Sequence, residues 1–170
     1  MGIGLALAWL LTRHRSESID FRLVLLGAVL PDLIDKPFGF LLELQGRLWA
    51  HTLLFLLGVL ALSRVSRLRG LEWVGFGIAT HLLLDMIWSW PWVAFWPFAG
   101  PFHASKLTVW TFVDTLLTDP VVQAGELAGV VCLVALGWAC GIRSWASLRA
   151  FLRDGRLAGA HPRPRSAPQA

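Results

Sequence analysis

Five side chains of this 170-residue sequence, Asp32, Asp35, His51, His81 and Asp85, are of the types that bind divalent ions, yet they sit in otherwise apolar segments. An ionisable group at membrane depth costs several kcal/mol unless it has a partner, so each is a functional candidate. His81 and Asp85 stand at i and i+4, a spacing that puts both on one helix face within reach of a common ion. Arg47 and His51 repeat that spacing. A mixed imidazole and carboxylate set suits Zn²⁺ first, with Mn²⁺ or Fe²⁺ as alternatives, and more than four ligands leaves room for two ions. Such an ion would acidify a bound water and polarise an ester or phosphoryl oxygen. Arg47 would then steady the developing anion, and Asp35 is counted with it as a catalytic candidate. His103 and Asp114 are possible extra ligands, whereas His14 and His161 read as surface residues.

Each residue also has a plainer reading. His81 with Asp85 would serve as a neutralised pair between helices. Asp32, directly after Pro31, would cap the segment that follows. His51 alone would be a satisfied core histidine. Their convergence at one depth favours a site.

The elements that must position these residues are membrane helices. The chain is 56% hydrophobic and 15% charged, with mean hydropathy +0.62. Soluble domains sit near a quarter charged, so these charges are too few to coat a soluble surface. Ten Trp and ten Phe with no Tyr add rings of the kind that collect at membrane interfaces. Cys132 and Cys140 lack the paired spacing of a zinc or redox site and read as packing residues. Basic residues do not interleave with aromatics as in a nucleic-acid groove, so no nucleic-acid partner is expected.

Apolar runs fall at Gly2 to Leu11, Phe21 to Leu44, Leu48 to Leu62, Leu71 to Trp90 and Pro120 to Ile142. The first is short of the roughly 20 residues needed to span, so it is partly embedded or starts upstream of Met1. Pro31 and Pro37 interrupt the second, which reads as a helix broken at Pro31 with its break facing the bundle. The expected fold is therefore an all-α polytopic membrane protein of about five hydrophobic helices. Residues 1–142 form the membrane domain. Residues 143–157 alternate basic and apolar character as an interfacial helix does, and the Ala-, Pro- and Arg-rich end, 158–170, reads as disordered.

Arginines at 13 to 22, 64 to 69 and beyond 143 belong on the cytoplasmic side. Five crossings satisfy this, with residues 31–47 and 91–118 outside and the C-terminus cytoplasmic. Counted from the inner side at 1.5 Å per residue, the five polar residues all lie about 15–22 Å in. The cluster Trp88, Trp90, Trp92 and Trp96 becomes an outer aromatic belt.

Four ordered segments carry a family resemblance: Gly27 to Pro37 (GAVLPDLIDKP), Gly46 to Thr52 (GRLWAHT), Thr80 to Asp85 (THLLLD) and Trp96-Pro97-Phe98. Together they resemble the membrane-bound metal-dependent hydrolases, also described as LexA-binding, inner-membrane-associated, YdjM-like hydrolases. The likeness covers residues 1 to about 100. It implies a helical inner-membrane fold with a metal site at Asp32, Asp35, His51, His81 and Asp85. The order of motifs is also similar, more weakly, to zinc-dependent phospholipase C and nuclease folds, which implies phosphoesters. The chain departs from the family pattern by beginning Met1-Gly2 without an N-terminal histidine, and by Gly46 where a histidine often precedes the arginine.

The leading expectation is a metal-dependent hydrolase at the outer half of the bilayer, acting on a phosphoester or lipid-type substrate among membrane lipids. The alternative is a non-catalytic membrane module with a structural metal or polar cluster. A divalent-metal transporter is disfavoured because the inner half of the helices lacks the charges of a continuous path.

Overall fold

The computed structural model describes residues 1–12, 19–65, 68, 70–103 and 108–157. His14, His161, Lys106, the arginines at 13, 15, 67 and 69, and the tail 158–170 lie outside the described residues. Among those described, the regular structure is helical: α1 (Gly2–Thr12), α2 (Phe21–Leu41), α3 (Leu53–Val65), α4 (Leu71–Leu84), α5 (Pro91–Ala94), α6 (Val109–Thr118), α7 (Pro120–Ala139) and α8 (Trp145–Asp154). Short 3-10 turns at Trp49–His51 and Ile87–Ser89 precede α3 and α5.

The helix pair α2 and α4 is the centre of the fold, with α3 against α4 and α1 between α2 and α7. Two glycines allow the close approach. A Cβ on Gly27 would collide with the Val74 carbonyl, and one on Gly77 with the Val24 carbonyl and Ala28 amide. Bare backbone at these crossings lets the helices touch as small residues do in membrane bundles. Around this pair lie two apolar clusters. One joins Leu5, Ala8, Phe21, Val24, Leu136 and Phe151. The other joins Val74, Ile78, Leu82, Ile87 and Val93.

The expected break at Pro31 is absent, because α2 runs through both Pro31 and Pro37. Pro31 lacks the amide that would donate to Gly27 O and crowds that preceding turn. The neighbouring carbonyl, Ala28 O, accepts from His81 Nδ1 at 2.8 Å, which ties this turn of α2 to α4. Burial of Gly27, Ala28 and Pro31 against α4 further holds the helix together.

Among the described residues one helix, α7, is both long and apolar enough to cross a membrane by length and composition. α2 has 21 residues, about 31 Å of rise, but carries Arg22, Asp32, Asp35 and Lys36. α1, α3 and α4 have 11, 13 and 14 residues and are shorter than the roughly 20 of a full span. Between α5 and α7 stands α6, opened by a capping box of Thr108 and Thr111.

Within 143–157 the regular element is α8, opened by Ser144 and Ser147 and closed by Gly155 in the left-handed region (φ 69°). It is clamped to the start of α2. Arg22 Nη1 donates to the carbonyls of Leu152 (3.0 Å) and Arg153 (2.6 Å), and Phe21 N donates to Gly155 O at 2.8 Å. Asp20 caps α2 by accepting from Arg22 N at 3.0 Å and also receives the Arg22 guanidinium. That guanidinium holds the Asp20 carboxyl below the usual carboxylate range, against the opposing effect of burial.

Candidate metal centre

Three elements deliver side chains to one place: α2 brings Asp32 and Asp35, the Trp49–His51 turn brings His51, and α4 brings His81. Asp32, His51 and His81 each offer a ligand-type atom, all within 4.8 Å of one another. His51 Nε2 lies 3.2 Å from His81 Nε2, 3.6 Å from Asp32 Oδ1 and 3.9 Å from Asp85 Oδ2. Asp32 Oδ1 is 3.9 Å from His81 Nε2.

The far sides of the two rings fix which nitrogen carries the proton. A backbone carbonyl only accepts, so His81 Nδ1 must donate to Ala28 O. His51 Nδ1 faces Asp35 Oδ2 at 2.7 Å. Asp35 is fully buried and accepts from the amides of Leu48 (2.6 Å), Ala50 (3.0 Å) and His51 (3.1 Å). Its oxygens are acceptors throughout, which makes His51 Nδ1 a donor as well. Each ring then turns an Nε2 lone pair toward the other. With both rings neutral, two lone pairs at 3.2 Å repel unless a proton or a metal ion joins them, and a carboxylate beside them completes a donor set for a metal.

That set fits a zinc-type ion. With bonds of 2.0–2.1 Å to nitrogen, tetrahedral coordination separates two ligand nitrogens by about 3.3 Å, close to the 3.2 Å between these rings. The carboxylate and carbonyl behind the histidines match the outer partners that orient metal-binding imidazoles.

The remaining candidates fall elsewhere. Asp35 stands behind His51 with its oxygens engaged, and so orients the ring and the turn. Asp85 follows the last residue of α4 and is joined to Arg47 by a two-pronged ion pair, with Nη2 at 2.6 Å from Oδ1 and Nε on Oδ2. The next residue, Met86, takes left-handed backbone (φ 49°), which costs a residue with a side chain about 1–2 kcal/mol. Such conformations collect at functional sites. His103 is exposed and rests on the Trp92 ring, and Asp114 is exposed on α6. Neither joins the Asp32, His51 and His81 group.

Lys36 escaped the sequence reading. Its Nζ is 2.7 Å from Asp32 Oδ2, an i,i+4 pair of the same kind that drew attention to His81 and Asp85. Two aromatic rings complete the surroundings, Phe112 under Lys36 and Trp90 under Arg47.

The family model described as YdjM inner membrane protein matches residues 1–150. The chain belongs to this family. The YdjM family description supports an inner-membrane location, and the match extends beyond the 100 residues of the four motifs to include α6, α7 and most of α8. No curated protein and no solved structure matches the chain.

Proposed function

We propose that this YdjM-family protein is a multi-pass inner-membrane metal-dependent hydrolase acting on a phosphoester, lipid-type substrates included, at the outer half of the bilayer. The observation that carries the reading is the pair of imidazole Nε2 atoms 3.2 Å apart, each fixed from behind through Nδ1, with the Asp32 carboxylate alongside. Asp32, His51 and His81 would hold the ion, with Asp85 the nearest further carboxylate, and Zn²⁺ is the first choice. When bound, the ion would supply Lewis-acid chemistry toward a phosphoryl oxygen. Asp35 keeps the His51 ring in its tautomer. Arg47, on the rim, meets the charge that develops on the substrate.

The five-crossing topology is proposed with it, the tail and α8 inside and residues 91–118 outside. A reporter fused after Arg156 is expected to be active only if it works in the cytoplasm, and one inserted at Gly100 only if it works outside. The reverse pattern would remove the site from the outer half of the bilayer.

The chemical test uses detergent-purified, metal-loaded protein and a panel of phosphodiesters and phospholipids. Turnover is expected to be lost on chelation and to fall about 10²-fold or more in Arg47→Ala. No turnover across the panel would replace the hydrolase with a second reading, a non-catalytic module with a self-neutralised polar cluster. What favours that reading is the pairing of Asp32 with Lys36 and of Asp85 with Arg47.

A further inference from the structure

Lys36 and Arg47 flank the candidate centre, and each is tied to a carboxylate that also faces His51. Lys36 Nζ lies 2.7 Å from Asp32 Oδ2, while Asp32 Oδ1 is 3.6 Å from His51 Nε2. Arg47 grips both oxygens of Asp85, and Asp85 Oδ2 is 3.9 Å from the same nitrogen. A divalent ion at the histidines would therefore compete with these two cations for the same carboxylates.

Both cations have a second, uncharged hold. Lys36 Nζ sits 4.7 Å from the centre of the Phe112 ring, and Arg47 Cζ 5.0 Å from the centre of the Trp90 ring. Cation–π contacts of this kind keep a charged head in place without neutralising it. Phe112 comes from α6, a helix with no buried residue, so this contact gives that helix a role at the site. The side chains of Lys36, Asp32 and Arg47 are each about a third exposed, at 32%, 30% and 35%, so a ligand can reach them.

The charges indicate what that ligand is. With neutral histidines, Lys36 and Arg47 face the three carboxylates Asp32, Asp35 and Asp85, which leaves one negative charge. A divalent ion turns that into one positive charge. A neutral carboxylic ester gives two cations nothing to hold, and a dianion exceeds the charge available. A monoanion matches.

We infer that Lys36 and Arg47 form an anion-binding pair that divalent-metal occupancy releases from Asp32 and Asp85, and that its ligand is a phosphodiester monoanion. The inference rests on the metal reading proposed above. It makes Lys36 a substrate-binding residue and Phe112 a positioning residue. It also fixes opposite signs for one substitution: loss of Lys36 frees Asp32 for the metal and removes a contact for the anion. A purely structural Lys36–Asp32 bridge has no reason to affect anion binding.

The test is calorimetric and does not depend on turnover. Wild type, Lys36→Gln and Phe112→Leu in detergent are titrated with Zn²⁺. The loaded proteins, freed of excess metal, are then titrated with inorganic phosphate, dimethyl phosphate and micellar short-chain phosphatidylglycerol. Lys36→Gln is expected to tighten Zn²⁺ and to weaken the diesters about tenfold, the scale of one charge-assisted contact. Phe112→Leu is expected to leave Zn²⁺ unchanged and to weaken the diesters. Wild type should prefer a diester over inorganic phosphate. Binding of both diesters identifies the phosphodiester group itself as the ligand, and binding of phosphatidylglycerol alone identifies a lipid headgroup as its source. Unchanged diester affinity in Lys36→Gln, weaker Zn²⁺ in that variant, or phosphate bound as tightly as the diesters would overturn the pair. A wild type that binds no Zn²⁺ would instead defeat the metal reading beneath it. Should Lys36→Gln fail to fold, Lys36→Arg, expected to retain diester binding, and Phe112→Leu carry the same comparison.

Discussion

The α2–α4 pair and α7 solve opposite problems. α7 is 20 residues long and apolar, and 6% of its most apolar 18-residue window is buried. Val121, Leu127, Val131, Val134 and Trp138 all face outward from it. The central pair is interrupted by charge and proline, yet it is knit so closely that glycines meet backbone. A span that meets lipid needs apolar side chains around most of its surface. Helices that build a polar site must instead find partners for every charge they carry. The features that make α2 fail a test of apolarity, Asp32, Asp35 and Lys36, are the same ones that build the site.

The largest expected effect probes the glycine contacts. Gly77→Val puts atoms where the Val24 carbonyl and Ala28 amide already lie, and overpacking of this kind costs about 1–3 kcal/mol. The Cβ of a residue at Gly125 in α7 meets nothing within 4 Å. Gly125→Ala is expected to be neutral or to stabilise by up to about 1 kcal/mol, since glycine is costly inside a helix. Thermal unfolding in detergent measures both. Equal shifts would mean that the two regions are not packed differently.

A smaller effect belongs at the join between α8 and α2. Asp20 has a folded-state pKa below its unfolded value. Its contribution is therefore present above the unfolded pKa of about 4 and is lost as pH falls through the lower, folded value. Apparent stability of the wild type is expected to decline through that acidic window, with a shallower decline in Asp20→Asn. Identical profiles would show that the Asp20 and Arg22 clamp contributes nothing measurable. Because these groups are partly solvent-exposed, the difference should shrink at high salt.

Helical class, the limits of α7 within about three residues and the basic amphipathic α8 were legible in apolar runs and periodicity. So was the approach of Asp32, His51 and His81, through the reasoning that unpartnered charge does not survive at membrane depth. The continuity of α2 was not legible, because the proline rule is local while the contacts that hold this turn, Gly27 against Val74 and Ala28 O against His81, come from α4. The same limit hid the position of Asp35. Carboxylate and histidine types suggest ligands, but only the folded Leu48–His51 turn reveals three amides converging on that one side chain. Lys36 was missed for a different reason. Its signal was an i,i+4 pair in plain view, read as part of a break.

The central claim is that the facing histidines exist to hold a cation, and metal analysis of the detergent-purified protein tests it most directly. The account predicts about one divalent transition-metal ion per chain in the wild type and in His103→Ala, with the metal lost in His81→Ala and in Asp32→Ala. A wild type without metal, or equal metal content in all four proteins, would contradict it.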